Sequence, residues 1–227
     1  MSITSLIALA LLGGLVGLDV VSFPQVMISR PIVAATLGGA VVGDATAGLL
    51  VGVVLELLAL ETLPVGASRY PEWGSASVVG GALAALGTPA TPGASALALL
   101  AAVITAWAGG WTMHAVRRIN GVWARRNLPS IDAGDSTTVL ALQLRGLAAD
   151  LLRGILLTAI AYALFRPLVM LVLPQWNLGP AASAAVAVGI AAAVAAAAAW
   201  SRSRSAPAAR WYLAGGVLVG LAVLVLQ

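Results

Sequence analysis

The chain has 227 residues, 61% of them hydrophobic and only 9% charged, with a mean hydropathy of +1.02, whereas soluble domains carry roughly 25% charged residues. The net charge of +4 comes from 12 basic residues, all arginine, against 8 acids; most of the arginines gather in two loops between apolar stretches, where they orient a membrane chain, so nucleic acid is not an expected partner. There is no cysteine, no His/Cys cluster of metal-ligand spacing and no glycine-rich phosphate loop, so neither a metal nor another cofactor is expected.

At about 20 residues per crossing of about 30 Å of hydrocarbon, this length accommodates about six or seven spans. The expected fold is all-α: a polytopic integral membrane bundle with a re-entrant or broken-helix hairpin. Residues 1–227 form a single membrane domain, divided into a motif-bearing half (1–93) and a second helical half (94–227).

Residues 3–18 are uncharged and end at Asp19. With no basic leader region and no small-residue cleavage site before Asp19, this reads as a retained first span and not a signal peptide. It is short for a span, which leaves open a tilt, a thinned bilayer or a broken helix. A polar break follows, with Phe23, Pro24 and Gln25, before Arg30-Pro31 opens the second helix; proline is favoured there because its missing N–H would be unpaired anyway.

From Pro31 to Leu60 the only ionisable groups are Asp44 and Glu56. An acid at bilayer depth costs about 2.5 to 3.5 kcal/mol on insertion scales, which makes each a functional candidate. Asp44, Gly48, Gly52 and Glu56 recur every four residues, so on one helix they share a stripe. Gly39 and Gly43 form one Gly-x-x-x-Gly pair, and Gly48 and Gly52 another. Small residues at this spacing let helix backbones approach closely in lipid, so the stripe should face protein. Residues 61–74 then set Pro64, Gly66, Pro71 and Gly74 among Glu61, Arg69 and Glu72, a composition that breaks a helix and reads as a binding loop or re-entrant hairpin.

Residues 75–86 are apolar but too short to cross, and residues 87–93 break the chain, consistent with a re-entrant arm or a bent span. Residues 94–113 make a full-length span with Trp107 and Trp111 near its end, where indoles prefer the interface. Four arginines, Arg117, Arg118, Arg125 and Arg126, then place a loop over residues 114–138 in the cytoplasm by the positive-inside rule. Residues 139–153, with Arg145, Asp150 and Arg153 among leucines, read as an amphipathic helix on the membrane surface or on a partner. Further spans are expected at 154–173, interrupted by Arg166-Pro167, at 181–200 and at 211–226. Arg202, Arg204 and Arg210 mark a second cytoplasmic loop.

Two roles are open for Glu56: a polar group lining a solute path, or an acid paired with Arg30 or Arg69. Asp44 can instead bond local backbone at a helix break. Glu61, Arg69 and Glu72 are either site residues or an ordinary surface turn. Tyr70 or Trp73 could supply an aromatic platform for a sugar. His114, the only histidine, sits beside four arginines and reads as an interfacial residue.

The order Arg30-Pro31, Gly43-Asp44, Gly48, Gly52, Leu55-Glu56, Ala59-Leu60, Gly66-Ala67 resembles the IIC permease component of mannose/sorbose-type phosphotransferase systems. The resemblance spans Asp19 to about Gly81. It implies a multi-pass subunit of the bacterial inner membrane that moves a hexose-like sugar together with a IID membrane subunit, in a homo-oligomeric complex. Cytoplasmic IIA and IIB proteins would carry the phosphoryl group, so His114 would not be a phosphoryl acceptor. It also implies a substrate region that includes the loop with Pro64, Val65, Gly66, Ala67, Arg69 and Glu72, its backbone amides and carbonyls, and the polar break with Asp19 and Gln25. Two other functions remain open: a non-transporting anchor or sensor derived from such a component, and a proton-coupled secondary transporter using Asp44 and Glu56.

Overall fold

The computed structural model describes residues 3–60, 69–87 and 92–176, together with isolated positions between 179 and 211. The described helices are α1 (Ile3–Asp19), α2 (Pro31–Val42), α3 (Ala45–Ala59), α4 (Trp73–Ala84), α5 (Pro92–Arg126), α6 (Leu128–Asp132) and α7 (Ser136–Val172), followed by a 3-10 turn at Leu173–Gln175. The spans expected at 181–200 and 211–226 lie, apart from isolated positions, outside the described residues.

α4 is the hub. It packs against α1, α2, α3, α5 and α7, and all 12 of its residues are buried. At about 1.5 Å per residue it is about 18 Å long, well short of the bilayer core. This is the short apolar arm read from residues 75–86, enclosed by its neighbours. Its glycines explain the enclosure: a Cβ at Gly81 would lie 1.9 Å from the Ala35 carbonyl oxygen, and one at Gly38 of α2 would lie 2.3 Å from that of Val78. α2 and α4 therefore touch backbone to backbone, which small residues permit in lipid.

The run from Pro31 to Leu60 is two helices, not one. Gly43 adopts φ 115 and closes α2, its N–H donating to the Ala40 and Gly39 carbonyls; a left-handed residue ends a helix, and glycine adopts it without a Cβ penalty. The Asp44 carboxylate then caps α3 by accepting from the Ala47 N–H at 2.9 Å. α2 and α3 fold back as a hairpin in which Gly39 meets Gly48. Gly43 is no packing residue, since nothing lies within 4 Å of where its Cβ would stand.

Two further expectations change. The region 114–138 is mostly helix: α5 runs on to Arg126, and α7 starts at Ser136. No proline lies between Gly93 and Arg126, arginine is a good helix former, and Arg125 and Arg126 in the last turn complement the helix dipole. Likewise 139–172 is one continuous helix through Pro167, as proline is tolerated in membrane helices whose neighbours re-satisfy the backbone.

α5 and α7 are each long and apolar enough to cross a membrane. Along α7, Leu152, Leu156, Ile160, Leu164 and Leu168 are exposed in an i, i+4 row, and Trp107 and Trp111 are exposed on α5. Charges turned inward and leucines turned outward are the pattern of an all-α membrane fold.

Candidate functional site

The polar break after α1 is shaped by Asp19. Its carboxylate is 2% exposed and accepts from the backbone N–H of Val26 at 2.6 Å, the N–H of Ser29 at 2.9 Å and the Ser29 hydroxyl at 2.8 Å. These bonds tie residues 20–29 into a tight loop, with Gln25 at φ 59 and Met27 at φ 68. Asp19 thus serves as a clasp, while Ser22 and Gln25 form one wall of a cavity of about 640 Å³.

The facing walls of that cavity come from Tyr70, from Arg117 and Asn120 on α5, and from Gln143, Gly146 and Asp150 on α7. Arg117 donates to the Tyr70 hydroxyl and sits 5.1 Å from the centre of its ring. Burial pushes the Tyr70 phenol above its ordinary range, against the opposing pull of Arg117, so the hydroxyl stays protonated at neutral pH. Asn120 Oδ1 is buried and has no hydrogen-bond partner.

Behind the cavity lies a buried ion triad. Asp150 Oδ2 accepts from the Ser22 hydroxyl at 2.7 Å, and its Oδ1 from Arg153 Nε at 2.7 Å. Arg153 also lies 3.7 Å from Glu72 Oε2. Glu72 is 0% exposed and caps α4: its Oε1 accepts from the Ser75 N–H at 3.0 Å, while its own N–H donates to the Ala106 carbonyl at 2.8 Å. A lone buried charge at this depth is costly; paired and hydrogen-bonded, these three are tolerated and join α4, α5, α7 and the 20–29 loop.

The sequence candidates thus separate. Gln25 lines the cavity, with Asp19 and Glu72 supporting it from behind. Glu56 stands elsewhere, paired with Arg30 and accepting from the Ile32 N–H at 3.2 Å. Asp44 caps α3. Arg69 stacks on Trp111, its guanidinium 3.8 Å from the ring centre. Tyr70 and Trp73 both border a smaller cavity of about 180 Å³ together with Ser29 and Arg30. Glu61, Pro64, Val65, Gly66 and Ala67 lie outside the described residues.

Sequence reasoning missed Arg117, Asn120, Gln143, Asp150 and Arg153 as lining or supporting groups, because their helices were read as a loop and a surface element. The usable signal was local: Asp150 and Arg153 at i, i+3 share one helix face and can pair with each other. The cavity offers hydroxyl, amide, guanidinium and carboxylate groups beside an aromatic ring, chemistry suited to a neutral polar solute. No cluster of metal-ligating side chains occurs among the described residues.

The profile of the family described as "PTS system sorbose-specific IIC component" matches residues 3–192. Shorter stretches match the sorbose-specific EIIC component of Klebsiella pneumoniae, 38% identical over 58 residues (26% of this chain, 22% of the relative), and the fructose permease IIC component of Bacillus subtilis strain 168, 37% identical over 79 residues (35% and 29%). The mannose-specific EIIC component of Escherichia coli strain K12 is 36% identical over 70 residues (31% and 26%). The matches thus span about a quarter of the length of these curated relatives. Among solved structures, one titled "Structure of membrane protein" superposes with a TM-score of 0.68 at 20% identity, covering 99% of this chain and 92% of the other. The mannose transporter ManYZ in complex with microcin E492 gives 0.60 at 20% identity, covering 100% and 88%. At that identity the two structures speak for the fold, whereas the profile covers most of the sequence: the chain belongs to the sorbose-specific IIC family of phosphotransferase-system membrane components.

Proposed function

We infer that this IIC component provides part of a sugar path through the bacterial inner membrane, working as one membrane domain over residues 1–227 with a IID membrane subunit in a homo-oligomeric complex, and delivering a hexose to cytoplasmic IIA and IIB phosphocarriers. The observation that carries the reading is the cavity of about 640 Å³, whose walls set Gln25, Asn120, Gln143 and Asp150 around Tyr70 inside an otherwise apolar bundle. A hexose presents hydroxyls to such groups and an apolar ring face to the tyrosine. On this reading Glu61, Pro64, Val65, Gly66 and Ala67 also take part in binding the sugar. Glu56 and Asp44 brace the α2–α3 hairpin beside the path. The C-terminal end of α5, with its four arginines, faces the cytoplasm.

The test is uptake into proteoliposomes holding this chain and its IID subunit, using labelled D-mannose, D-fructose and L-sorbose. Uptake of one of them that requires the phosphoryl donor chain, and that drops at least about tenfold in Asn120→Leu, supports the reading. Uptake that persists without the donor and collapses with the proton gradient identifies a secondary transporter instead. Absence of uptake of all three, with the complex intact, leaves the non-transporting anchor.

A further inference from the structure

Asp150 joins the cavity to the protein interior. It is 5% exposed, lines the cavity, and spends one lone pair on each oxygen, Oδ2 on the Ser22 hydroxyl and Oδ1 on Arg153 Nε. A carboxylate offers about four acceptor sites, so Asp150 retains acceptor capacity toward the cavity. Asn120 Oδ1, on the same cavity, is buried without a hydrogen bond. Two under-used acceptors bordering one cavity suit a ligand rich in hydroxyl donors.

A carboxylate buried this deeply needs a fixed polar partner. Arg153 supplies it. Its Nε fixes Oδ1 from behind, its side chain is 4% exposed, and Glu72 Oε2 stands 3.7 Å from its far end. Arg153 NH1 and NH2 make no hydrogen bond, so the guanidinium is held by charge on one side and by the single Nε bond on the other.

We propose that Asp150 is the specificity-determining acceptor of the cavity for a neutral polyhydroxyl ligand, and that Arg153, anchored by Glu72, is the positioning residue that presents it. The inference rests on the sugar reading above and deepens it. A phosphorylated sugar brings about −2 charges at neutral pH, which the Asp150 carboxylate repels at its own wall of the cavity, against the pull of Arg117 on the same cavity. The same group that accepts sugar hydroxyls thus disfavours the phosphate ester.

The test uses the full complex with its IID subunit in detergent and equilibrium binding of labelled D-mannose, D-fructose and L-sorbose, with the corresponding hexose phosphates as competitors. Asp150→Asn is expected to weaken binding of the preferred sugar about tenfold and to let the hexose phosphate compete where it does not in the wild type. Because Arg153→Met alone would leave Glu72 buried and unpaired, Arg153→Met is combined with Glu72→Gln. This double variant should weaken binding as much as Asp150→Asn, and adding Asp150→Asn to it should change little more. A double variant that binds within about twofold of wild type, or an Asp150→Asn protein that still excludes the phosphate, overturns the assignment while the sugar reading stands. If the wild-type complex binds none of the three sugars, the sugar reading fails and this assignment falls with it.

Discussion

The Glu56 carboxylate, one turn before the end of α3, is paired with the Arg30 guanidinium at the N-cap of α2, and also accepts from the Ile32 N–H at 3.2 Å. The two ends of the α2–α3 hairpin are therefore pinned together, and an anion is set against the positive end of α2. Arg30 remains 47% exposed in its side chain, so the pair contributes no more than about 1 kcal/mol. Glu56→Gln keeps an acceptor for Ile32 and should lower the melting temperature in detergent slightly; Glu56→Ala should lower it further. Arg30→Gln should add little once Glu56 is gone. Additive losses in this cycle would show that the two side chains act separately.

Backbone contact in the hub predicts a contrast between two glycines. A Cβ at Gly81 meets the Ala35 carbonyl oxygen at 1.9 Å, while one at Gly43 meets nothing within 4 Å and is opposed only by φ 115. Gly81→Ala must push α2 from α4 and should cost about 1 to 3 kcal/mol. Gly43→Ala should cost about 1 to 2 kcal/mol through backbone strain alone. Thermal unfolding of the purified variants ranks them, and a Gly81→Ala protein as stable as wild type would mean that α2 and α4 do not touch.

Asp135 gives a pH-dependent prediction at the start of α7. Its carboxylate accepts from the Thr137 hydroxyl at 2.6 Å, the Thr138 hydroxyl at 2.6 Å and the Thr137 N–H at 3.0 Å; these bonds, the Thr137 hydroxyl foremost, hold its pKa down from 3.8 to about 2. A depressed carboxyl pKa contributes stability that is fully present above the ordinary 3.8 and is lost as the pH falls through about 2. Amide exchange in the first turn of α7 should therefore quicken as the pH drops across that window, relative to exchange in mid-helix. Asp135→Asn, which still caps, should remove the pH dependence; an unchanged profile in that variant would place the titration elsewhere.

Composition, hydropathy and the glycine-spaced run were enough to read an all-α membrane fold, the helix start at Pro31 and the short arm that became α4. The break at Gly43 was one of two open readings of Gly43-Asp44, because glycine serves equally as a packing residue and as a left-handed cap, and only the position of Ala35 against Gly48 shows which role each glycine takes. Asp44 and Glu56 drew attention as acids at bilayer depth, yet each is satisfied close to home, by the α3 backbone and by Arg30. The carboxylates that reach the cavity and its support, Asp150 and Glu72, lie in stretches rich in other charges, where a solvated surface is the ordinary reading. Burial is a tertiary property: what encloses Asp150 is Ser22, 128 residues away.

Tyr70 separates two contributions to the cavity, since its ring forms part of the wall and its hydroxyl accepts from Arg117. Tyr70→Phe keeps the ring and removes the hydroxyl that accepts from Arg117. For a neutral sugar this should raise the apparent KM of uptake several-fold, about 1 kcal/mol for one lost hydrogen bond, with the maximal rate little changed. Tyr70→Ala also removes the stacking face and should raise the KM further, because an aromatic contact contributes about 0.5 to 1.5 kcal/mol beyond its area. If instead both substitutions reduce only the maximal rate and leave the KM unchanged, Tyr70 acts on the movement of the helices and not on the bound solute.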